Sequence, residues 1–417
     1  MNTYPTYDVA VIGGGPAGMM AAGRAAELGK KVILLEKNSG VGKKLLITGG
    51  GRCNVTNNEP DNKKILAKFK DAGKYLASPF SQWNVESTLS FFSARGMATV
   101  EEAEKRMFPI THKAQSVWDT LVAYMHETGV EVRGLSEVTS IEADADSISH
   151  LVLKNKSIIR ARSYILATGG VSRPETGSTG DGFQYLRTLG HTVADTSGAL
   201  VPLVSNDAWV RRLAGVSLPS VKITAFLNGE KQESRTGKIL FTHVGLSGPA
   251  ILNFSSEIAE LLKYGEVSLE LDLVPDMGPE KVNEKLQELL KAESNKMIKN
   301  SLGSLVLSAL VVPALEIAGI APDTFGHSVT RDARLALIRA LKAMPLTVDG
   351  LLGLDKAVIT SGGLSLNEVD FKTMRSKKYK NLYVVGDLLN IDRPSGGYSL
   401  QLCWTTGFVA GTAAATA

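Results

Sequence analysis

Two short apolar runs flank a helical stretch at the start of the chain, and this order predicts a strand, a helix and a second strand. Residues 8–12 form the first apolar run, a helical stretch follows the glycines at 13–18 and ends near Gly29, and residues 32–35 form the second run. Parallel neighbours need a long crossover connection, usually a helix. The chain therefore opens with a βαβ unit.

Later stretches extend this pattern until it changes near Asp195. Periodicity predicts helices over residues 65–75, 85–94 and 114–128, and strands over residues 131–141, 149–153 and 157–167. Beyond Asp195, antiparallel strands are predicted over residues 221–227, 238–241 and 267–273, and helices over residues 279–299, 302–317 and 331–343, the second interrupted at Pro313. Residues 381–385 and a small-residue helix from about Ser399 return to the opening pattern.

This order of elements predicts an α/β protein whose first domain is discontinuous. A chain of 417 residues exceeds one ordinary hydrophobic core. We expect residues 1–195 and 346–417 to form a parallel-sheet domain, and residues 196–345 to form an inserted domain of strands and helices.

Composition narrows the class of protein. Hydrophobic residues make up 44% of the chain and charged residues 21%, which is typical of a folded soluble protein. No basic leader precedes an apolar stretch, so we expect a cytoplasmic location, and the long apolar stretch 301–322 contains Pro313 and Glu316, which argues against a membrane partner. Two cysteines, Cys53 and Cys403, and six scattered histidines do not form a metal-binding pattern, so no metal is expected.

A positive charge balance keeps a polyanionic partner open. The formal net charge is +4, and a basic cluster precedes the apolar run at 381–385. Most clusters of this kind are solvated turns, although a basic surface also favours nucleic acid. The cluster comprises Lys372, Arg375, Lys377, Lys378 and Lys380.

The glycines of the opening unit fit the G-x-G-x-x-G fingerprint of a dinucleotide-binding turn. Gly13 makes the tight turn, Gly15 lets a diphosphate approach the backbone, and Gly18 lets helix and strand pack closely. The diphosphate then lies at the helix N-terminus, where N–H groups favour an anion. Glu36 follows the second strand, where a carboxylate accepts hydrogen bonds from both hydroxyls of an unphosphorylated adenosine ribose.

A second glycine-rich turn is more specific. Residues 48–57 read TGGGRCNVTN, and this segment resembles the signature of the aminoacetone oxidase-like, or BaiN-like, FAD-binding family. Further motifs that resemble the family are MFP at 107–109, LATGG at 166–170, GSTGDG at 177–182, FTHVGLSGP at 241–249, TSGG at 360–363, GD at 386–387 and GGYSLQ at 396–401. Two departures are Asp387, where many relatives have Glu, and Phe371, where the family usually has Pro.

The resemblance implies a Rossmann-type FAD-binding domain carrying an inserted β-barrel-like and helical domain. It implies an FAD-dependent oxidoreductase that transfers hydride between flavin N5 and a substrate held between the two. Residues 177–182 lack a preceding βαβ strand and a terminal acid, so a second nucleotide domain is not expected, and NADH or NADPH would dock transiently. Oligomeric state is left open.

The same resemblance leaves several substrates open. Relatives in the family are associated with oxidation of small amines, with reduction of conjugated double bonds in steroid-like acids, and with dihydrouridine formation in ribosomal RNA. A small molecule is therefore the first expected partner and ribosomal RNA the second. A flavin-binding protein without enzymatic activity is the rival from another class.

Each part of a flavin dinucleotide has candidate partners in the chain. A flavin needs its diphosphate neutralised, its ribitol hydroxyls bonded and its N1/O2 edge stabilised when reduced. We expect Lys44 to add charge near the diphosphate or to form a structural salt bridge, Asp387 to accept from a ribitol hydroxyl, and Val138 to meet the adenine through its backbone. The complete expected set is Gly13, Gly15, Pro16, Ala17, Gly18, Glu36, Lys37, Lys44, Gly51, Arg52, Val138, Thr168, Gly169, Gly170, Gly386, Asp387, Gly397, Tyr398 and Ser399.

Four residues are candidates for the chemical step. Cys53 lies in the flavin-facing turn and either packs as a small soft residue, donates a proton, or pairs with Cys403; no C-x-x-C motif supports a dithiol. Arg52 either orients flavin or an anionic substrate, or fixes the glycine turn. Tyr398 and His243 are weaker acid–base candidates, because a lone residue of this kind in a loop is more often structural.

Overall fold

A computed structural model describes residues 7–417. Its strands are β1 (Tyr7–Ile12), β2 (Val32–Leu35), β3 (Thr56–Asn57), β4 (Thr99–Glu102), β5 (Arg106–Pro109), β6 (Glu131–Arg133), β7 (Val138–Ala143), β8 (Ile148–Leu153), β9 (Ile158–Ile159), β10 (Ala161–Leu166), β11 (Val193–Ala199), β12 (Leu203–Val204), β13 (Ser217–Leu227), β14 (Glu230–Thr242), β15 (Gly245–Ser247), β16 (Val267–Asp272), β17 (Met344–Val348), β18 (Gly350–Leu351), β19 (Ile359–Leu364), β20 (Val369–Asp370), β21 (Arg375–Ser376) and β22 (Leu382–Val384). Residues 1–6, the start of the predicted first domain, lie outside the described residues.

The α-helices follow the same numbering along the chain. They are α1 (Pro16–Glu27), α2 (Lys43–Ile47), α3 (Asn62–Ala67), α4 (Gly73–Gln82), α5 (Val85–Ala94), α6 (Ala114–Glu127), α7 (Asp181–Thr188), α8 (Ala208–Arg212), α9 (Pro249–Leu261), α10 (Pro279–Ala292), α11 (Ile298–Ser301), α12 (Ser308–Ile317), α13 (Arg331–Lys342) and α14 (Tyr398–Thr416). Among the residues described, no helix combines the length and apolar character needed to cross a bilayer.

The chain divides into two compact units. One comprises the residues up to Ala199 together with Ala357–Ala417, and the other comprises Leu200–Lys356. The domain boundaries proposed from the sequence, at residues 195 and 345, remain predictions about independently folding domains.

The first unit is built on a seven-stranded sheet with the order β20-β21-β22-β10-β1-β2-β6. Strands β22, β10, β1, β2 and β6 are parallel neighbours, and Val9–Ile12 pairs in register with Val32–Leu35. Both strands of that pair are almost entirely buried, as expected of a parallel sheet covered on both faces. The carboxyl ends of these strands form one edge, where the glycine turn begins.

Helices α1 and α14 pack closely beside this sheet. A Cβ at Gly407 would lie 2.5 Å from the carbonyl oxygen of Ala17, and a Cβ at Gly411 would lie 2.5 Å from that of Ala21. Neither approach is compatible with a side chain. The two glycines therefore let the backbones of α1 and α14 touch, which joins a helix near the start of the chain to one that follows the second unit.

The second unit has its own antiparallel sheet and its own hydrophobic core. Its strand order is β17-β16-β13-β14-β15-β12-β18, and helices α8–α13 belong to the same unit. Ile223, Phe241, Leu269 and Leu337 are fully buried in this core. The structure therefore has the expected Rossmann-type domain interrupted by an inserted domain of strands and helices.

Two local predictions were wrong in extent. The single strand expected over residues 131–141 is split into β6 and β7, because Leu135 has a left-handed backbone (φ 51°) and Gly134 approaches Ser39, whose carbonyl oxygen a Cβ would meet at 2.6 Å. The helix expected over residues 65–75 is also split, and Lys70 between α3 and α4 has a φ of 50°.

Pro313 does not interrupt its helix. Helix α12 runs through Pro313, and the break lies before it, where Leu307 has an extended backbone (ψ 134°). A proline removes one backbone donor, and here the flanking turns keep the helical path. The helix predicted over residues 279–299 ends earlier, at Ala292.

Candidate FAD-binding site

The glycine turn joins β1 to α1, and its three fingerprint glycines are required for different reasons. A Cβ at Gly13 (φ 102°) would lie 2.6 Å from the carbonyl oxygen of Ala167, and one at Gly18 would lie 2.0 Å from that of Gly13. Close backbone contacts thus exclude side chains at both positions. A Cβ at Gly15 would meet no described atom within 4 Å, so this glycine leaves open space at the N-terminus of α1.

Glu36 holds this turn in place. Its carboxylate accepts hydrogen bonds from the backbone N–H of Gly14 (2.8 Å), the backbone N–H of Asn38 (2.8 Å) and the Asn38 side-chain amide (2.8 Å). Its side chain is buried. A carboxylate can accept about four hydrogen bonds, so Glu36 retains acceptor capacity for a ribose hydroxyl.

Two adjoining cavities lie against this turn. The larger, which opens to solvent, contains about 620 Å³ of empty space, and the smaller about 380 Å³. Gly13, Glu36, Thr168 and Gly177 line both.

Most of the predicted cofactor-binding residues meet at these cavities. The larger is lined by Gly13, Gly15, Pro16, Ala17, Glu36, Lys44, Thr168, Gly169, Gly386 and Asp387. Lys37 and Val138 line the smaller. Within residues 7–417, the following predicted residues lie outside both linings: Gly18, Gly51, Arg52, Cys53, Gly170, His243, Gly397, Tyr398 and Ser399.

The smaller cavity is lined by Val138, the residue expected to meet the adenine through its backbone. Tyr185 donates its hydroxyl to the carbonyl oxygen of Val138 (2.6 Å), which orders the strand end there. Lys37 donates to Thr179 Oγ1 (2.5 Å) and to Asp181 Oδ2 (2.6 Å). The glycine-rich segment 177–182 therefore forms a wall of the same two cavities.

A second wall of the larger cavity carries charged side chains. Lys44 Nζ lies 3.0 Å from Ser172 Oγ and 4.0 Å from Asp387 Oδ2. Burial lowers the pKa of Lys44, although the charge on Asp387 opposes this. Burial raises the pKa of Asp387, but the charges of Arg393 and Lys44 outweigh it and hold that pKa below its ordinary value. Asp387 is therefore ionised at neutral pH.

Features of the cavity fit a dinucleotide. The open space beside Gly15 accepts a group that approaches the backbone, and Thr168 carries a buried hydroxyl with no hydrogen-bond partner among the described residues. Such a buried group usually has a partner, protein or not. The α1 N-terminus, Lys44 and Asp387 supply the anion and hydroxyl partners that a diphosphate and a sugar chain need.

The two cysteines have different surroundings, and both are free thiols. Cys53 is fully buried with a left-handed backbone (φ 59°), and burial raises its pKa to about 12 despite a hydrogen bond with Thr48. Cys403 lines the larger cavity, and burial raises its pKa to about 12 as well. Both thiols are protonated at neutral pH.

Arg52 makes its contacts away from the cavities. Its guanidinium pairs with Glu102, lies 2.9 Å from His112 Nδ1 and stacks 4.2 Å from the ring centroid of Phe108. Gly51 beside it is exposed. These contacts join the glycine turn to β4 and β5.

The residues at the start of α14 are packed tightly. A Cβ at Gly397 would lie 2.4 Å from the carbonyl carbon of Thr56, and Tyr398 packs edge-on against Phe69 with ring centroids 6.1 Å apart. Burial raises the pKa of Tyr398. A Cβ at Gly170 would lie 2.0 Å from Thr360 Oγ1.

His243 belongs to the second unit. It is exposed in the turn between β14 and β15.

Sequence reasoning missed Arg393. Its side chain is fully buried, and it donates to Asp387, to Ser399 Oγ (3.0 Å) and to the carbonyl oxygen of Ile391 (2.7 Å). Arg393 lies outside the motifs that resemble the family. The only sequence feature that pointed to this region was the departure from the family pattern at Asp387. Asn38, which bonds Glu36, was also missed.

The Rossmann-type sheet, the glycine turn at its carboxyl edge and the two cavities define a dinucleotide-binding protein. The family model described as "HI0933-like protein Rossmann domain" matches residues 7–413, and the chain belongs to this HI0933-like family of FAD-binding proteins. It is an FAD-dependent oxidoreductase.

Two relatives cover almost the whole chain. The ribosomal RNA dihydrouridine synthase of Escherichia coli K12 is 31% identical over 96% of each chain, and the 3-dehydro-bile acid delta(4,6)-reductase of Clostridium scindens is 30% identical over 98% of each. The 3-ketosteroid delta1-dehydrogenase of Sterolibacterium denitrificans shares the fold, with a TM-score of 0.59 and 15% identity over 98% of this chain and 99% of that one.

Proposed function

We propose that the protein uses bound FAD to reduce a carbon–carbon double bond conjugated to a carbonyl group. The observation that carries the proposal is that two full-length relatives are named for such reductions. Dihydrouridine formation saturates a bond of the uracil ring, and a delta(4,6)-reductase saturates a conjugated dienone. Both substrates accept hydride at the carbon remote from the carbonyl.

The chain's own residues would hold the cofactor along the two cavities. The turn at 13–18 would bind the diphosphate, Glu36 the adenosine ribose and Asp387 a ribitol hydroxyl. Lys44 would offset the diphosphate charge. When bound, FAD accepts hydride from a donor and passes it to an acceptor.

NADH or NADPH is proposed as the donor. The glycine-rich segment 177–182 contributes to the cavities proposed for FAD, since Gly177 lines both and Lys37 bonds Thr179 and Asp181. It is therefore committed to that site. A nicotinamide nucleotide would bind transiently and leave before the acceptor enters.

Saturating the double bond also needs a proton, for which Tyr398 is the better candidate. Both residues lie outside the two cavity linings, but Cys53 has no exposed surface, whereas Tyr398 is 7% exposed and begins the helix expected to face the flavin. Burial raises the pKa of the phenol, so Tyr398 holds its proton at neutral pH. Tyr398→Phe should keep FAD and its reduction by NAD(P)H while slowing product formation ~10²-fold, the usual effect of losing an acid–base group.

Anaerobic stopped-flow spectroscopy tests the proposal. We expect NADH or NADPH to bleach the flavin within seconds, air to restore it slowly, and a cyclic enone or a uracil-containing RNA to restore it quickly. Rapid reoxidation by air with release of peroxide, together with flavin reduction by a small amine, would instead identify an amine oxidase. A flavin that no donor reduces would indicate a non-enzymatic protein.

Within this reaction class, one surface favours RNA as the substrate. Five exposed lysines lie within twelve residues of α3, α4 and the turn between them: Lys63, Lys64, Lys68, Lys70 and Lys74. Lys68 and Lys70 flank Phe69, which packs against Tyr398. Gln82 of α4 donates to the carbonyl oxygen of Lys372 (3.0 Å), which brings the basic cluster at 372–380 beside these helices. Phosphate groups bind such surfaces.

Charge reversal separates RNA from a small substrate. The variant Lys68→Glu/Lys70→Glu should slow the reduction of ribosomal RNA more than tenfold. It should leave the rate of reduction of a free enone unchanged. Lys281→Glu/Lys285→Glu, on the exposed face of α10, is the matched control. Equal loss in both variants, or in neither, would contradict RNA docking on α3 and α4.

A further inference from the structure

Arg393 is a buried cation in the loop between β22 and α14. None of its side chain is exposed, and within the described part of the chain it donates to Asp387, to Ser399 Oγ and to the carbonyl oxygen of Ile391. Burying a guanidinium is costly, and an apolar side chain of similar volume would avoid that cost. Arg393 also joins Asp387, which lines the larger cavity, to Ser399 in the first turn of α14.

The charges around Asp387 do not cancel. Arg393 pairs with Asp387, and Lys44 lies 4.0 Å from the other oxygen of the same carboxylate. Glu175 also acts on Lys44, but Glu175 is itself near Arg173 at 3.8 Å. Cys403 nearby is a protonated thiol. When Lys44 is protonated, two cations face one carboxylate, and this wall has an excess positive charge.

We propose that Arg393 is a positioning residue that keeps this wall positive and thereby raises the reduction potential of bound FAD. The proposal rests on FAD binding in the larger cavity. A flavin that takes up hydride gains two electrons and one proton, so its neutral ring becomes an anion at neutral pH. A fixed cation in a water-poor cavity favours that anion over the oxidised ring.

The potential of the purified holoenzyme, measured by anaerobic equilibration with a reference dye, tests the proposal with two variants of opposite sign. In Arg393→Met the excess charge disappears, and reduced FAD should bind about tenfold more weakly relative to oxidised FAD. That ratio corresponds to a potential lower by ~30 mV for a two-electron couple. In Asp387→Asn the excess grows, and the potential should rise by a similar amount.

Two further variants separate charge from packing. Arg393→Lys keeps the charge without the fork of donors and should return the potential most of the way to the wild-type value. Arg375→Met removes an exposed cation on β21 and should leave the potential unchanged.

An Arg393→Met holoenzyme with the wild-type potential would overturn the proposal. If that variant does not retain FAD, Asp387→Asn decides, and a potential at or below the wild-type value would overturn it. The visible spectrum of the wild-type protein shows separately whether FAD is bound, so failure of this inference and failure of FAD binding give different results.

Discussion

The two walls of the larger cavity are built from different kinds of group. At the glycine turn, the wall consists of backbone atoms whose path is fixed by contacts too short for any side chain at Gly13 and Gly18. The second wall carries the charged side chains of Lys44 and Asp387, and Arg393 pairs with Asp387.

This difference separates two properties of the site. Backbone donors remain whatever side chains surround them, so the glycine turn can change only by losing a glycine or the acid that holds it. A charged wall can exchange one side chain for another while the fold is kept. We infer that the first wall determines which cofactor binds and the second how readily that cofactor is reduced.

The largest expected effect on FAD affinity comes from a substitution in the backbone wall. Gly15→Val should lower FAD affinity at least 100-fold, because its side chain would enter the open space beside the α1 N-terminus. Isothermal titration of the apoprotein with FAD measures this. Gly40→Val is the matched control, since a Cβ there also meets no described atom within 4 Å and Gly40 is outside both cavity linings. Unchanged FAD binding in Gly15→Val would place the diphosphate elsewhere.

A second change tests the acid that holds the same wall. Glu36→Gln should weaken FAD binding roughly ten- to hundredfold, the equivalent of about 1.5 to 3 kcal/mol for a charge-assisted hydrogen bond. FMN lacks the adenosine ribose, so its weaker binding should be unaffected in the same titration. Equal losses for FAD and FMN would show that Glu36 acts through the turn alone.

Lys44→Met probes the charged wall and should lower FAD affinity about tenfold, the lower end expected for a charge-assisted contact.

Lys44→Met should also change how the stability of the apoprotein depends on pH. Since burial lowers the pKa of Lys44, the unfolded chain binds this proton between the folded and ordinary pKa values and the folded chain does not. Stability conferred by this group therefore rises as pH increases through that window toward ~10.4. Urea unfolding at several pH values should show this rise in the wild type and less of it in the variant.

The smallest expected effect lies outside both walls. Cys53→Ala should destabilise the protein by about 1 kcal/mol, as is usual for a small buried change, and should leave turnover within twofold. Thermal unfolding and steady-state kinetics measure the two quantities. A loss of turnover near 10²-fold with FAD retained would restore the proton-donor role considered for Cys53.

Local patterns explain what could be predicted from the sequence. The βαβ unit, its glycines and Glu36 lie within 30 residues, and backbone geometry alone relates them. The partner of Arg52 could not be predicted in this way, because Glu102 lies fifty residues further on. Arg393 was not anticipated because its role depends on Asp387 and Ser399 coming together only when α14 packs. The break near Leu135 likewise depends on a tertiary contact, between Gly134 and Ser39.

The contact of α1 with α14 also constrains the order of events during synthesis. Because α14 follows the second unit along the chain, α1 emerges from the ribosome long before the helix that covers it at Gly407 and Gly411. The second unit has a hydrophobic core of its own and can fold before α14, which completes the first unit, has been synthesised. Nascent chains that stop before α14 should therefore expose the Ala17–Ala21 face of α1 to chaperones, and they should be captured more readily than nascent chains that extend through it.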